Sequence, residues 1–174
     1  MSMVGYSLFV AAVAAFAASP AGAHVTLENR EAPVGAPYRA VFVVPHGCAG
    51  SATIKLRVQI PEGVIAMEPA PKPGWNVDVV KAKYAADYDY QGSKLSEGIK
   101  EVVWSGGKLP PHQHDEFTVD TYLTGSLKPD SMLYFPTVQE CEQGISRWID
   151  IPAEGGDPHD TGSPAPGVKL MPKR

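Results

Sequence analysis

Residues 52–60 read ATIKLRVQI, and the alternation of apolar and polar side chains from Ile54 to Ile60 decides the fold class. Successive side chains of a β-strand point to opposite faces of a sheet, so an alternating stretch buries one face and exposes the other. We interpret this stretch as a half-buried strand that ends at the turn Pro61-Glu62-Gly63. Its apolar face carries Ile54, Leu56, Val58 and Ile60, opposite Lys55, Arg57 and Gln59.

Other strand-like stretches lie on both sides of it, and most of the 17 glycines and 17 prolines fall between them. No convincing helical period continues for more than about two turns. The polar stretch 85–99 is expected to be a loop or the end of a hairpin. Together these patterns predict an all-β, antiparallel β-sandwich over residues 24–152. The further strands are predicted at 38–44, 75–83, 101–104, 116–123, 131–138 and 147–151.

The C-terminal residues 153–174 are rich in Gly, Pro and charged side chains and have little apolar surface to bury. Such a composition does not offset the entropy lost when a chain is ordered. We expect these residues to form a flexible tail, or an extended strap on the surface.

The first 23 residues have the pattern of a secretory signal peptide. They carry no charged side chain, contain an apolar run at 8–18 and end in Ala21-Gly22-Ala23, a small-residue cleavage pattern. The run is too short to span a bilayer comfortably. We predict cleavage after Ala23, which makes His24 the first residue of an exported, periplasmic or extracytoplasmic protein without a membrane span.

The charge balance argues against several classes of partner. All charged side chains follow residue 23, so the mature chain keeps the formal net charge of −4. A mildly acidic chain without a cluster of Lys and Arg gives no electrostatic basis for binding nucleic acid or anionic lipid.

The two cysteines, Cys48 and Cys141, are expected to form a disulfide because the protein is predicted to be exported. Closing a loop of roughly 90 residues stabilises a fold by about 4–5 kcal/mol on the chain-entropy model. The competing interpretation is a Cu(I) or redox thiol pair, which no C-x-x-C spacing supports.

An N-terminal His24 offers a metal ion two nitrogens at once, its free α-amine and its ring Nδ1. An α-amine has a pKa of about 7.7–8.0, so Cu(II) can displace its proton near neutral pH. A tetragonal set of nitrogen and oxygen donors favours Cu(II). Glu28 is a candidate for a further ligand, or is simply an exposed strand carboxylate. The competing interpretation of His24 is that cleavage falls before a histidine by chance.

The other candidate ligands are weaker. His112 and His114 can project to the same side of an extended chain, but they lie in a predicted loop and are expected to be solvated. Cu(I) requires clustered soft ligands, whereas Met67, Met132 and Met171 lie far apart in the sequence. We interpret Met67 and Met132 as packing residues, which leaves Cu(II) as the favoured ion.

The sequence contains no catalytic motif that we recognise. It has no G-x-S-x-G, no H-E-x-x-H and no cysteine expected to be free. The protein is therefore predicted not to be an enzyme. Trp148 is expected, on the residue pattern alone, to pack in the core.

Nine short segments, taken in order, carry a resemblance to a known family. They are HVT (24–26), PHGC (45–48), SAT (51–53), QIPEGV (59–64), PKPGW (71–75), EVVWSGG (101–107), DEF (115–117), YFPTVQEC (134–141) and RWIDIP (147–152). Together they resemble the YcnI-like family of exported bacterial domains, also known as DUF1775. Each segment is weak by itself, and the resemblance rests on their order and completeness.

The resemblance implies an immunoglobulin- or cupredoxin-like β-sandwich that binds Cu(II) through a mono-histidine brace. In this chain the brace would be His24, with its amine and Nδ1. The resemblance also implies a tryptophan beside the metal, at the position of Trp148. The partner expected on the same basis is a separate periplasmic copper chaperone or a membrane copper transporter.

Three functions remain open. The favoured one is an exported Cu(II)-binding protein of copper homeostasis, acting as a chaperone or a sensor. The second is a metal-independent module that binds a protein partner in the envelope. The third is a copper-dependent oxidase, for which a second histidine would be needed and no spacing supplies one.

Overall fold

The computed structural model describes residues 24–153 and 161–173, and within these ranges the regular structure is entirely β. The predicted leader, residues 1–23, lies outside the described residues. Within the same ranges no helix has the length and apolarity needed to cross a membrane. The strands are β1 (Thr26–Leu27), β2 (Glu31–Pro33), β3 (Ala36–Val44), β4 (Thr53–Gln59), β5 (Val64–Pro69), β6 (Asn76–Tyr90), β7 (Ser93–Leu109), β8 (Asp115–Leu123), β9 (Met132–Tyr134), β10 (Thr137–Cys141), β11 (Ile145–Trp148) and β12 (Gly167–Met171).

Two antiparallel sheets share one hydrophobic core. The first sheet has the strand order β1-β3-β8-β5, and the second has the order β11-β10-β4-β7-β6. Trp104 of β7 is fully buried and contacts Phe117 of β8, with ring centroids 5.4 Å apart, so side chains of the two sheets meet between them. The predicted all-β antiparallel sandwich is confirmed.

A disulfide connects the two sheets. Cys48, in the loop after β3, is bonded to Cys141 at the end of β10, and their Cα atoms are 5.9 Å apart. This confirms the predicted pairing. It also connects the loop after β3, an inner strand of the first sheet, to β10, the strand that lies beside β11.

The strand predicted at 52–60 is present, but one of its residues faces the other way. Leu56 and Val58 are fully buried, whereas Ile54 is 36% exposed. The pairing of β4 with β7 shifts register between Thr53 and Lys55, which is a β-bulge. Because of the bulge, Thr53 lies on the buried face in place of Ile54.

The stretch 85–99 belongs to a long hairpin made by β6 and β7. The turn is confined to Gln91 and Gly92, whose φ angles of 48° and 79° are both positive, as a tight two-residue hairpin turn requires. Most side chains of β6 are exposed, so this strand needs no apolar alternation. The polar stretch can therefore form a β-strand here, although it lacks the alternation of a half-buried strand.

The flexible tail predicted at 153–174 is wrong for residues 167–171, which form β12, and residues 154–160 lie outside the described part of the chain. β12 pairs in parallel with β2 and antiparallel with β9, which makes a third, three-stranded sheet. Val168 and Leu170 are 0% and 1% exposed and belong to the core. Two apolar side chains two residues apart are enough to anchor a strand, so the domain continues past Pro152 to Met171.

Candidate metal centre

His24 lies two residues before β1, an edge strand of the first sheet. Thr26 and Leu27 pair with Val43 and Phe42 of β3, and Leu27 is only 2% exposed. Val25 is 1% exposed, so the residue next to His24 is anchored in the core together with Leu27. His24 itself is half-buried, with part of its ring open to solvent.

The His24 ring contacts the ring of Trp148. Their centroids are 5.2 Å apart and their planes are nearly perpendicular, at 88°. Trp148 ends β11, the edge strand of the second sheet. The contact therefore connects the segment just before β1, the outermost strand of the first sheet, with the outermost strand of the second sheet, and it brings together two of the residues that the sequence singled out.

A buried amide fixes the indole of Trp148 from behind. Trp148 Nε1 donates to Gln139 Oε1 at 3.1 Å, and Gln139 Nε2 donates to the backbone oxygen of His46 and to Thr53 Oγ1, both at 2.7 Å. Gln139 is 1% exposed. Thr137 is the residue paired with Trp148, so Gln139 occupies the diagonal position on the same sheet face. Sequence reasoning missed this residue as part of the site.

A cavity of about 320 Å³ opens beside His24. Its walls include Arg30, Met132 and Tyr134, with backbone from residues 164–167. Met132 is 43% exposed and packs against Gly167 at the surface, whereas Met67 packs against the core. Burial raises the pKa of Tyr134, which keeps its hydroxyl neutral. No carboxylate among the described residues lines this cavity.

The structure does not bring Glu28 to His24. Glu28 is exposed, its backbone N–H donates to the Val41 oxygen at 3.0 Å, and its side chain is not part of the cavity wall. Glu28 as a further ligand therefore stays a prediction, without a contact to the His24 ring in the structure.

The other candidate histidines lie apart from this centre. His112 and His114 are exposed in the loop before β8, as expected. Across residues 24–153 and 161–173, no three side chains of His, Cys, Asp or Glu converge in a way that could hold a metal. A metal ion at His24 would therefore depend on donors from His24 itself, namely the ring and, after cleavage, the α-amine.

Comparisons with known proteins place this geometry in context. A family model described as "Domain of unknown function (DUF1775)" matches residues 24–170, so the match begins at His24 and ends within β12. Among solved structures, the chain is similar to an uncharacterized protein from Nocardia farcinica with an immunoglobulin-like fold. The two are 25% identical with a TM-score of 0.62, and the alignment covers 85% of this chain and 98% of that one. No curated protein matches.

Proposed function

This chain belongs to the DUF1775 family, and from that membership we propose that it is an exported Cu(II)-binding protein of copper homeostasis whose site is built on His24. The observation that most directly supports the proposal is the ring contact of 5.2 Å between His24 and Trp148. It sets the only histidine that cleavage would place at the N-terminus against a fixed aromatic wall, with an open cavity nearby.

His24 would hold Cu(II) through its α-amine and ring Nδ1. Cu(II) prefers nitrogen donors of this kind and displaces the proton of an amine whose pKa is about 7.7–8.0. No described carboxylate lies beside the ring, so water or a group from a partner protein would complete the coordination. A site with so few protein ligands suits an ion that is carried and passed on.

Trp148 would orient the imidazole and shield one side of the ion. An edge-to-face contact restricts rotation of the His24 ring, and the bond from Nε1 to Gln139 keeps the indole from following it. Residues that fix a metal-bound histidine in this way tune affinity as well as orientation. The indole is also a built-in reporter, because bound Cu(II) quenches nearby tryptophan fluorescence.

Export is part of the proposal, because the α-amine of His24 exists only after the leader is removed. The Cys48–Cys141 disulfide is compatible with an oxidising compartment. In that compartment a separate copper chaperone or membrane copper transporter would supply or receive the ion. We propose no enzymatic activity.

Substituting His24 tests the proposal. The mature protein should bind one equivalent of Cu(II) in competition with a chelator of known affinity, and His24→Ala should weaken that binding by at least about 100-fold, since it removes a ligand and not merely a neighbour of one. His112→Ala is the matched control, because it removes an exposed loop histidine. Unchanged affinity in His24→Ala would contradict the proposal.

A further inference from the structure

A second cavity, of about 320 Å³, lies on the outer face of the five-stranded sheet. Strand register fixes its position: Val138 of β10 is paired with Arg147 of β11 on one side and with Arg57 of β4 on the other. Neighbouring strands are about 4.8 Å apart, so the two arginines flank Val138 on one face. Trp148 follows Arg147 in β11 and therefore projects to the opposite face. This cavity is separate from the His24 centre.

The floor of the cavity is apolar, and one of its walls carries the side-chain amide of Gln59. Pro136 and Val138 lie along β10, and Ile149, which is 41% exposed, extends the apolar surface from the end of β11. Gln59 lines the opposite wall. Its backbone N–H donates to the Pro136 oxygen at 2.9 Å, while its side-chain amide makes no hydrogen bond with any described residue.

The two arginines of this cavity differ in how they are paired. Arg57 is already neutralised, because its Nε and Nη2 donate to Glu101 at 3.4 and 3.3 Å and its Nη1 lies 3.8 Å from Glu140. Arg147 has no ion pair or side-chain hydrogen bond within the described part of the chain. One guanidinium without a partner among the described residues thus lines a concave surface that is polar on its walls and apolar at Pro136, Val138 and Ile149, in a protein whose formal net charge is −4.

We propose that this cavity binds a small branched aliphatic monocarboxylate. Its carboxylate would accept parallel hydrogen bonds from the Arg147 guanidinium, and one from the Gln59 amide, while its alkyl group would rest on Val138 and Ile149. A guanidinium presents its donors in a fork that matches a carboxylate. Glu101 on the far wall disfavours a second negative charge. The volume is at the low end of the range of about 300–1,000 Å³ for ligand pockets, which favours a compact acid.

The same chemistry has two sources, a free acid and the C-terminal carboxylate of a peptide that ends in a branched residue. Titration of the isotope-labelled protein with isovalerate and with N-acetyl-glycyl-leucine, followed by amide NMR, distinguishes them. We expect saturable chemical-shift changes at the backbone amides of Gln59, Val138 and Ile149. The controls are the carboxamide forms of both probes, which keep the shape of the acid and lose its charge. Tighter binding of the peptide acid would identify a peptide terminus, and tighter binding of isovalerate would identify a free acid.

Substitution of Arg147 completes the test. Arg147→Gln should weaken carboxylate binding by about tenfold or more, because a charge-assisted bidentate hydrogen bond is lost. Arg39→Gln is the control, since Arg39 is an exposed arginine of the other sheet, paired with Asp120 at 3.0 Å. Equal chemical-shift changes with the carboxamide controls would overturn the proposal. So would an unchanged affinity for the carboxylates in an Arg147→Gln protein whose NMR spectrum is otherwise native. Cu(II) binding at His24 is expected to be unaffected, so the two proposals can fail separately.

Discussion

The indole of Trp148 depends on one buried amide for its position. Gln139 is the largest polar side chain that the described core encloses, and all three of its hydrogen bonds go to groups from different parts of the chain. Alternation alone does not signal this role, because Val138 is the aliphatic residue of the stretch TVQEC (137–141), whereas the structure buries Thr137, Gln139 and Cys141. The sequence does not show the partners, because His46 and Thr53 reach β10 only through long-range strand pairing.

Replacing Gln139 with leucine should lower the free energy of unfolding by about 1–3 kcal/mol. The change keeps the approximate volume but leaves the Trp148 N–H, the Thr53 hydroxyl and the His46 carbonyl without their partner, and buried polar groups that lose a partner carry a desolvation cost. Urea unfolding measures the loss, with the exposed Gln143→Leu as the control. A Gln139→Leu protein as stable as the control would show that the network contributes nothing.

At the scale of single elements, β12 is the strand that local sequence composition does not predict. Gly, Pro and charged residues surround it, and composition over a window of this kind predicts disorder. The strand forms nevertheless, because β2 and β9 provide hydrogen-bonding edges on both sides and the core receives Val168 and Leu170. None of these partners is close in sequence to β12, so a local pattern does not reveal them.

Leu170→Ala should destabilise the protein by about 2–4 kcal/mol, because it opens a cavity at a position that is 1% exposed. Lys169→Ala, at the adjacent exposed position of the same strand, should cost less than about 0.5 kcal/mol. Thermal or urea unfolding of both variants makes the comparison. Equal effects of the two substitutions would restore the flexible-tail interpretation.

The β6–β7 hairpin is fastened to the sandwich by Glu62. The carboxylate accepts hydrogen bonds from the Ala85 N–H at 2.9 Å, the Tyr88 hydroxyl at 2.7 Å and Lys100 Nζ at 2.8 Å. Burial raises the pKa of Glu62, but the bonds from Lys100, Tyr88 and Ala85 outweigh it, and the net pKa is lowered. The same burial, together with the bond to Glu62, raises the pKa of Tyr88 to about 12.

This shift predicts a pH dependence of stability. The folded-state pKa of Glu62 lies below its unfolded value of about 4.3. The contribution of Glu62 to the free energy of unfolding is therefore complete above the unfolded pKa, and it is lost as pH falls through the folded-state pKa. Glu62→Gln should therefore make the acid side of the stability profile less steep. The effect will be modest, since the side chain is 38% exposed. Urea midpoints measured from pH 7 to pH 3 test it, and Glu97→Gln, at an exposed position of the same hairpin, should leave the slope unchanged.

At the scale of the whole molecule, the candidate centre exists because two sheets meet at their outer strands. His24 lies just before β1, Trp148 ends β11, and the Cys48–Cys141 bond connects the loop after β3 to the end of β10. Alternation and turn residues were sufficient to predict the sandwich, and the presence of two cysteines in a chain predicted to be exported was sufficient to predict the disulfide. The bulge that exposes Ile54 and the cavity beside His24 depend on the register between distant strands, which local periodicity does not determine.

The most direct test of the central claim is the paramagnetic resonance spectrum of the protein that begins at His24, loaded with one equivalent of Cu(II). We expect a single axial spectrum with hyperfine coupling to nitrogen from both the amine and the imidazole. Acetylating the α-amine of His24 leaves the ring and the fold in place, and it should abolish that spectrum. An identical spectrum from the acetylated protein would contradict a brace at His24.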